Sequence, residues 1–362
     1  MAQKKRNKSV VRQLLDPKRI AIPIVIGLGV ATYFLLTGID FSAFESVDFG
    51  WWSGFMLFCA LIMVILRDLG YMLRLRILSN KSISWRNVFD DIMLWEFSSA
   101  VTPSVVGGSG VAIFILNKED LSIGKSTAIV MTTAMLDELF YVVMVPILFL
   151  AVGGAELFPS NVGEIELLGK MWGVEEVFWI GFGFILLLIS IIVFGIFISP
   201  QKLKSALSAI FSLPILKRWK KGALETGDEI VITSNELKGK PIGFWFAAFI
   251  TTALSWTARY LVANFLLMAF TGLSFADNLM ILARQLIMWV IMLISPTPGG
   301  EGIAQLAFES FLADFTPLGL AAALAILWRL FTYYPYLFLG AIILPNWIQR
   351  VYLKRKLITF KS

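Results

Sequence analysis

Apolar residues run through this chain in blocks of about twenty rather than in the alternation of an amphipathic strand. Six runs, near 20–38, 50–73, 121–151, 177–198, 242–272 and 316–343, reach the roughly 20 residues that a helix needs to cross a bilayer. Two further apolar stretches, 88–117 and 278–313, are each cut by a turn. The first turn reads Thr102-Pro103-Ser104-Val105-Val106-Gly107-Gly108, the second Ser295-Pro296-Thr297-Pro298-Gly299-Gly300. Proline lacks the amide donor and glycine has no side chain to hold it in a helix, so neither stretch continues through its turn as one helix. The pieces beyond, 109–117 and 301–313, are too short to cross, which predicts re-entrant hairpins.

The two turns are related. Gly107-Gly108-Ser109-Gly110 and Gly299-Gly300-Glu301-Gly302 lie 192 residues apart, since 299 − 107 = 192. The same offset carries Arg67 onto Arg259 and Asp137 onto Arg329. Charges inside apolar spans are costly, so charges at matching places in two halves point to a repeated unit with a function. Repeats with Gly/Pro-interrupted segments mark the binding sites of membrane transporters.

Charge sets the orientation. Residues 1–20 carry seven Lys/Arg, which predicts a cytoplasmic N-terminus. If 88–117 crossed, the loop 152–176, with five Glu and one Lys, would face the cytoplasm and the loop 201–241, with eight Lys/Arg, would face outside. Re-entry restores the positive-inside rule. The expected fold class is therefore an all-α polytopic membrane protein. It has six spans and two re-entrant helical hairpins in an inverted-topology repeat, with both termini cytoplasmic. The expected organisation is a basic N-terminus (1–19), a first repeat (20–151) and an outer loop (152–176). A second repeat (177–343), containing the cytoplasmic loop 201–241, and a basic tail (344–362) complete it. Leu203, Leu207, Ile210 and Phe211 share one helical face in that loop, beside Lys202 and Lys204.

Composition narrows the chemistry. The chain is 58% hydrophobic with 15% charged residues, too little polar surface to cover a soluble core. Without histidine, the usual general base and the common zinc ligand are missing. The one cysteine, Cys59, cannot form an internal disulfide. The net charge of +6 sits beside the spans and fits membrane orientation better than nucleic acid. Trp51, Trp52, Trp172, Trp179, Trp245 and Trp347 are expected in interfacial belts.

The candidate site consists of the two turns and the embedded charges. Non-helical backbone at membrane depth is tolerated where it is buried in protein or lines a cavity, and a helix starting there aims its N–H groups at an anion. The expected substrate ligands are Arg67, Arg259 and Arg329, with Gly107, Gly108, Gly299, Gly300, Thr102, Ser104 and Thr297. Arginine suits a phosphate because its fork bonds two oxygens at once. Asp137, Glu138 and Glu301 are the ion or proton candidates. The bland alternative is mutual pairing, such as Asp137 or Glu138 with Arg329; for the turns, it is that glycine merely allows close packing. No metal-ligand cluster or nucleophile–base pair accompanies these groups, so no cofactor and no catalytic residue is expected.

Thr102-Pro103-Ser104 with Gly107-Gly108, and Pro296-Thr297-Pro298-Gly299-Gly300-Glu301-Gly302, resemble the paired signatures of the lysylphosphatidylglycerol synthase transmembrane-region family. This is the flippase-like domain found in the multiple peptide resistance factor. The resemblance spans about 20–345, with Val105-Val106 lengthening the first turn. It implies movement of a phosphate-bearing lipid between leaflets. No synthase domain follows the last span, so aminoacyl transfer is not implied. The expected partners are that phospholipid or phosphate-bearing lipid and the cell (inner) membrane itself, with no nucleic acid. A homodimer and a separate lipid-modifying enzyme are further candidates. A secondary transporter or channel for a small anion is the alternative, and a membrane-embedded lipid-modifying enzyme a third.

Overall fold

A computed structural model describes residues 49–101, 105–154, 156–159, 162–167, 170–213, 217–294, 307–317 and 320–358. The expected span at 20–38 and the basic N-terminus lie outside these residues. The described chain is helical nearly throughout. Its elements are α1 (Trp51–Leu78), α2 (Trp85–Val101), α3 (Val105–Lys118), α4 (Ile123–Val152), α5 (Val174–Ile192), α6 (Pro200–Ile210), α7 (Lys220–Lys238), α8 (Ile242–Met268), α9 (Phe275–Ile294), α10 (Ala321–Thr332) and α11 (Tyr334–Ile358). Val193–Ile198 extends α5 as a π-helix. The acidic loop after α4 departs from the all-helical expectation. It carries a short antiparallel hairpin, β1 (Ile165–Leu167) with β2 (Lys170–Trp172), in the register Ile165↔Trp172 and Leu167↔Lys170.

Helix α1 shows how sequence becomes membrane architecture. Met56, Ala60, Val64, Arg67, Tyr71, Arg74 and Leu78 recur at three- and four-residue spacing and are buried. Phe55, Phe58, Leu61, Ile65 and Leu69 recur the same way on another face and are exposed. An apolar exposed stripe along a whole helix belongs in lipid, where no water penalises it. Among the described residues five segments are long and apolar enough to cross: α1, α4, α5 with its π-helical end, α9, and α10 joined to α11. The pair α7–α8, bent by 101° at Gly239–Pro241, brings the number to six. The chain is thus a multi-pass α-helical membrane protein.

Two differences from the sequence reading are local. Helix α9 reaches crossing length by itself, whereas 278–313 was expected to turn back; the turn there, 295–306, lies outside the described residues. Gly107 and Gly108 form the first turn of α3 instead of the preceding bend. A Cβ on Gly108 would collide with the Ser99 side chain, so glycine here lets α3 lie closely on α2.

Helices α1 and α8 pack along their length. Trp52 Nε1 bonds the carbonyl of Met268, Ser255 Oγ donates to the carbonyl of Arg67 at 3.0 Å, and Arg74 Nη1 donates to Thr252 Oγ1 at 3.1 Å. One residue number rises as the other falls, so the pair is antiparallel. Gly70 permits the approach: a Cβ there would meet Ser255 Oγ and stand 2.9 Å from the carbonyl oxygen of Thr251. Helix α2 packs on α11, also antiparallel, with Tyr333 Oη on the carbonyl of Ala100 and Arg350 on Asn87 and Asp90. Helix α9 packs on α4.

Candidate functional site

A cavity of about 160 Å³ lies where α2, α8, α9, α10 and α11 meet. Helix α2 contributes Glu96, Ser99 and Ala100 from its last turns, and α9 contributes Gln285, Met288, Trp289 and Met292. Both helices therefore reach the cavity just before the breaks seen in the sequence. Helix α8 adds Arg259 and Tyr260. Trp328, Arg329 and Thr332 of α10, with Tyr333 and Tyr336, close the far wall. Each tyrosine hydroxyl and indole ring offers an apolar body with one polar handle, suited to a headgroup at the edge of lipid.

The cations of the cavity sit on aromatic faces. Arg259 Cζ lies 5.1 Å from the Trp256 ring centre and 4.7 Å from that of Trp289. Among the described residues Arg259 has no acidic side chain within ion-pair distance. Arg329 Cζ lies 4.4 Å from the Tyr333 ring centre and 5.6 Å from that of Trp328. Stacking of this kind holds a guanidinium in place while leaving its in-plane N–H groups directed elsewhere.

Behind the cavity the charges pair off. Arg67, 1% exposed, forms an ion pair with Glu96 and stacks 4.5 Å from the Tyr336 ring centre and 5.4 Å from that of Tyr71. Among the described residues its Nε and Nη1 find no hydrogen-bond acceptor, and the two rings face the rest of the guanidinium. Tyr336 Oη donates to Asp68 at 2.9 Å. Two turns further on, Arg74 grips Asp137 with both terminal nitrogens, at 2.5 and 3.4 Å, and Trp256 Nε1 donates to the same carboxylate at 2.7 Å. This half-buried carboxylate is thus surrounded by donors from two helices. Neighbouring Glu138 has no ion pair or hydrogen bond among the described residues. A third set links Tyr141 Oη to Tyr260 Oη at 2.6 Å, while Gln285 Nε2 donates to the carbonyl of Tyr260 at 3.2 Å and to Asn264 Oδ1 at 3.1 Å.

The structure thus brings Arg259 and Arg329 to one cavity and sets Arg67 behind it, paired with Glu96. Asp137 and Glu138 do not line it. The pairing suggested for Asp137 with Arg329 is replaced by Asp137 with Arg74. Helix α1 runs on to Leu78, five residues beyond the expected end of the span at 73, and carries Arg74 inward. Two helical turns separate Arg67 from Arg74, so both fall on one face; that spacing was the signal missed. Tyr141 and Tyr260 were missed too, because a single hydroxyl among apolar residues has no sequence signature. Gly108 lies against cavity-lining Ser99, and Gly107 is beside it in α3. Thr102, Ser104, Thr297, Gly299, Gly300 and Glu301 lie outside the described residues. Trp347, expected in an interfacial belt, is buried against Leu94, Ile115 and Val351. Among the described residues no group of three acidic, cysteine or histidine side chains is arranged to hold a metal.

The sequence profile of the lysylphosphatidylglycerol synthase TM region matches residues 20–340, nearly the whole chain. The chain belongs to this family. A "UPF0104 membrane protein" from Archaeoglobus fulgidus is 25% identical over 280 residues, covering 75% of this chain and 80% of that protein. No solved structure matches the chain. Membership of a family defined by a membrane-embedded domain agrees with the helices described above and says nothing of the headgroup recognised.

Proposed function

We propose that the protein moves a phosphate-headgroup lipid between the leaflets of the cell (inner) membrane, passively or coupled to an ion. It acts as a transporter and not as an enzyme. The observation that carries this reading is the convergence of the last turns of α2 and the second half of α9 with two arginines, Arg259 and Arg329, on one aromatic-walled cavity. The phosphate is received there by the two guanidiniums and the acyl chains stay in the bilayer. A charged headgroup is costly to bring to membrane depth, and a site of this kind offsets that cost where the barrier is highest.

The frame of the transporter is an inverted repeat. An offset of 192 residues carries α1 onto α8, α2 onto α9, and α4 onto α10–α11. The packing is reciprocal: α2 lies on α11 and α9 lies on α4, while the mates α1 and α8 lie on each other. Mates that pack antiparallel support halves that enter the membrane from opposite sides. This supports six spans, both termini in the cytoplasm and 201–241 on the cytoplasmic side. Glu138 is the proposed coupling group because it stands beside a carboxylate already held by Arg74. Asp137 is then structural.

Proteoliposomes containing headgroup-labelled lipid test the reading. Label in the outer leaflet is destroyed by a membrane-impermeant reductant; transport raises the destroyed fraction above that of empty vesicles. Movement of a soluble phosphate instead of lipid replaces this reading with an anion transporter. Conversion of the lipid to a new species replaces it with an enzyme. A second copy of this chain or a separate lipid-modifying enzyme remains a proposed partner, to be sought by mass spectrometry of the purified protein.

A further inference from the structure

The α6–α7 region takes no part in the cavity, yet it has its own chemistry. Between residues 200 and 224 the sequence carries six bases, Lys202, Lys204, Lys217, Arg218, Lys220 and Lys221, and no acid. Of the acids that follow, Glu225 is exposed and has no ion pair among the described residues, Asp228 pairs with Lys204, and Glu229 accepts from the backbone N–H of Gly124 at 2.7 Å, capping α4. Large apolar side chains stand exposed among these bases. Trp219 is 47% exposed, Ile210 49% and Leu213 56%.

Geometry says where this surface lies. Segment 217–238 meets α8 at 101°, so if α8 crosses the bilayer, α7 runs along its face. At the end of α5, Lys202 Nζ lies 5.4 Å from the Phe194 ring centre, which puts the base of α6 beside the end of a membrane span. Arg218 Cζ stacks 3.7 Å from the Trp219 ring centre, keeping cation and indole together.

We propose that α6 and Lys217–Lys221 dock on the anionic phospholipid headgroups of the adjoining leaflet, with Ile210, Leu213 and Trp219 inserted at the acyl boundary. The occupant follows from charge complementarity together with depth. Five bases without an ion pair among the described residues, Lys202, Lys217, Arg218, Lys220 and Lys221, attract phosphate-rich surfaces, and an indole beside them prefers the headgroup level. A soluble acidic protein would satisfy the charge and would not require the apolar residues to lie in the plane fixed by α8. The proposal concerns bilayer lipid held at the surface and is independent of which lipid the cavity moves.

The test uses the full chain with Cys59→Ala as background and a polarity-sensitive dye on Leu213→Cys, in nanodiscs. In discs containing an anionic phospholipid the dye emission shifts to the blue and is quenched by lipids carrying a nitroxide high on the acyl chain. In zwitterionic discs both effects shrink. They are also lost when Lys217, Arg218, Lys220 and Lys221 are all changed to Gln, a surface change that leaves the core untouched. Equal emission in both disc types, or quenching that survives removal of the four charges, overturns the proposal. A shift that appears only on addition of an acidic soluble protein overturns it in favour of a protein partner.

Discussion

Arg67 and Arg259 occupy matching positions 192 residues apart, on helices that pack against each other, yet their surroundings differ. Arg67 is walled in and paired with Glu96; Arg259 rests on two indole rings, faces a cavity and has no acidic partner among the described residues. The proposed repeat offers two equivalent places for a cation. Under the proposed function, the cation paired with a carboxylate has a structural role and the one left on aromatic faces a ligand-facing one. On that reading the neighbour on the next helix, and not position in a repeat, decides function.

The largest expected effect is on stability. Arg67→Ala leaves the Glu96 carboxylate without its partner, which should cost roughly 3–5 kcal/mol. Thermal unfolding in detergent measures it, and adding Glu96→Gln should recover much of the loss. A neutral Arg67→Ala would erase the contrast with Arg259. Next comes transport. Arg259→Ala should leave unfolding close to wild type but lower leaflet exchange by roughly 10- to 100-fold, the value of one or two charge-assisted bonds to phosphate. Arg259→Lys should recover only part, because an ammonium neither forks nor stacks in the same way. Full exchange by both variants would remove the ligand-facing role. Gly70→Ala tests the packing that sets the two arginines on their separate courses. Its Cβ would meet Ser255 and Thr251, at about 1–3 kcal/mol, and a wild-type melting curve would mean the helices can part freely. Smallest is Tyr260→Phe, which removes the bond to Tyr141 and should cost about 0.5–1.5 kcal/mol without displacing Arg259.

Much of the architecture was written in run lengths. The expected spans near 50–73, 121–151, 177–198, 242–272 and 316–343 coincide with α1, α4, α5, α8 and α10–α11. Twenty apolar residues have few alternatives to crossing a bilayer, so length and composition suffice there. The helical face read from Leu203, Leu207, Ile210 and Phe211 falls on α6 (Pro200–Ile210), with Phe211 as its C-cap. Pairing was less legible. Asp137 meets Arg74, and not Arg329, because helix crossing angles decide which of several cations comes within reach, and a sequence holds no crossing angles. Trp347 shows the limit of residue type as a guide: a tryptophan near a span end is at home in the interface or in a core, and only the presence of Leu94 and Ile115 opposite decides. The 107–108 glycines reveal a similar ambiguity. Their conformational freedom suggested a bend, whereas the absence of a side chain turns out to matter for the contact with Ser99.

The guanidinium of Arg350 reaches Asn87, Asp90 at 2.9 Å and Glu119 at 2.6 Å, joining both ends of the α2–α3 hairpin to the last helix. During synthesis some 230 residues separate Glu119 from its clamp, so the early hairpin leaves the ribosome long before the group that fastens it. The nascent first half must therefore wait in the translocon or the lipid with Glu119 held only by Asn87, at 2.6 Å, and Asp90 without its arginine. A chain halted before residue 350 would carry every element of the hairpin and still lack its fastening.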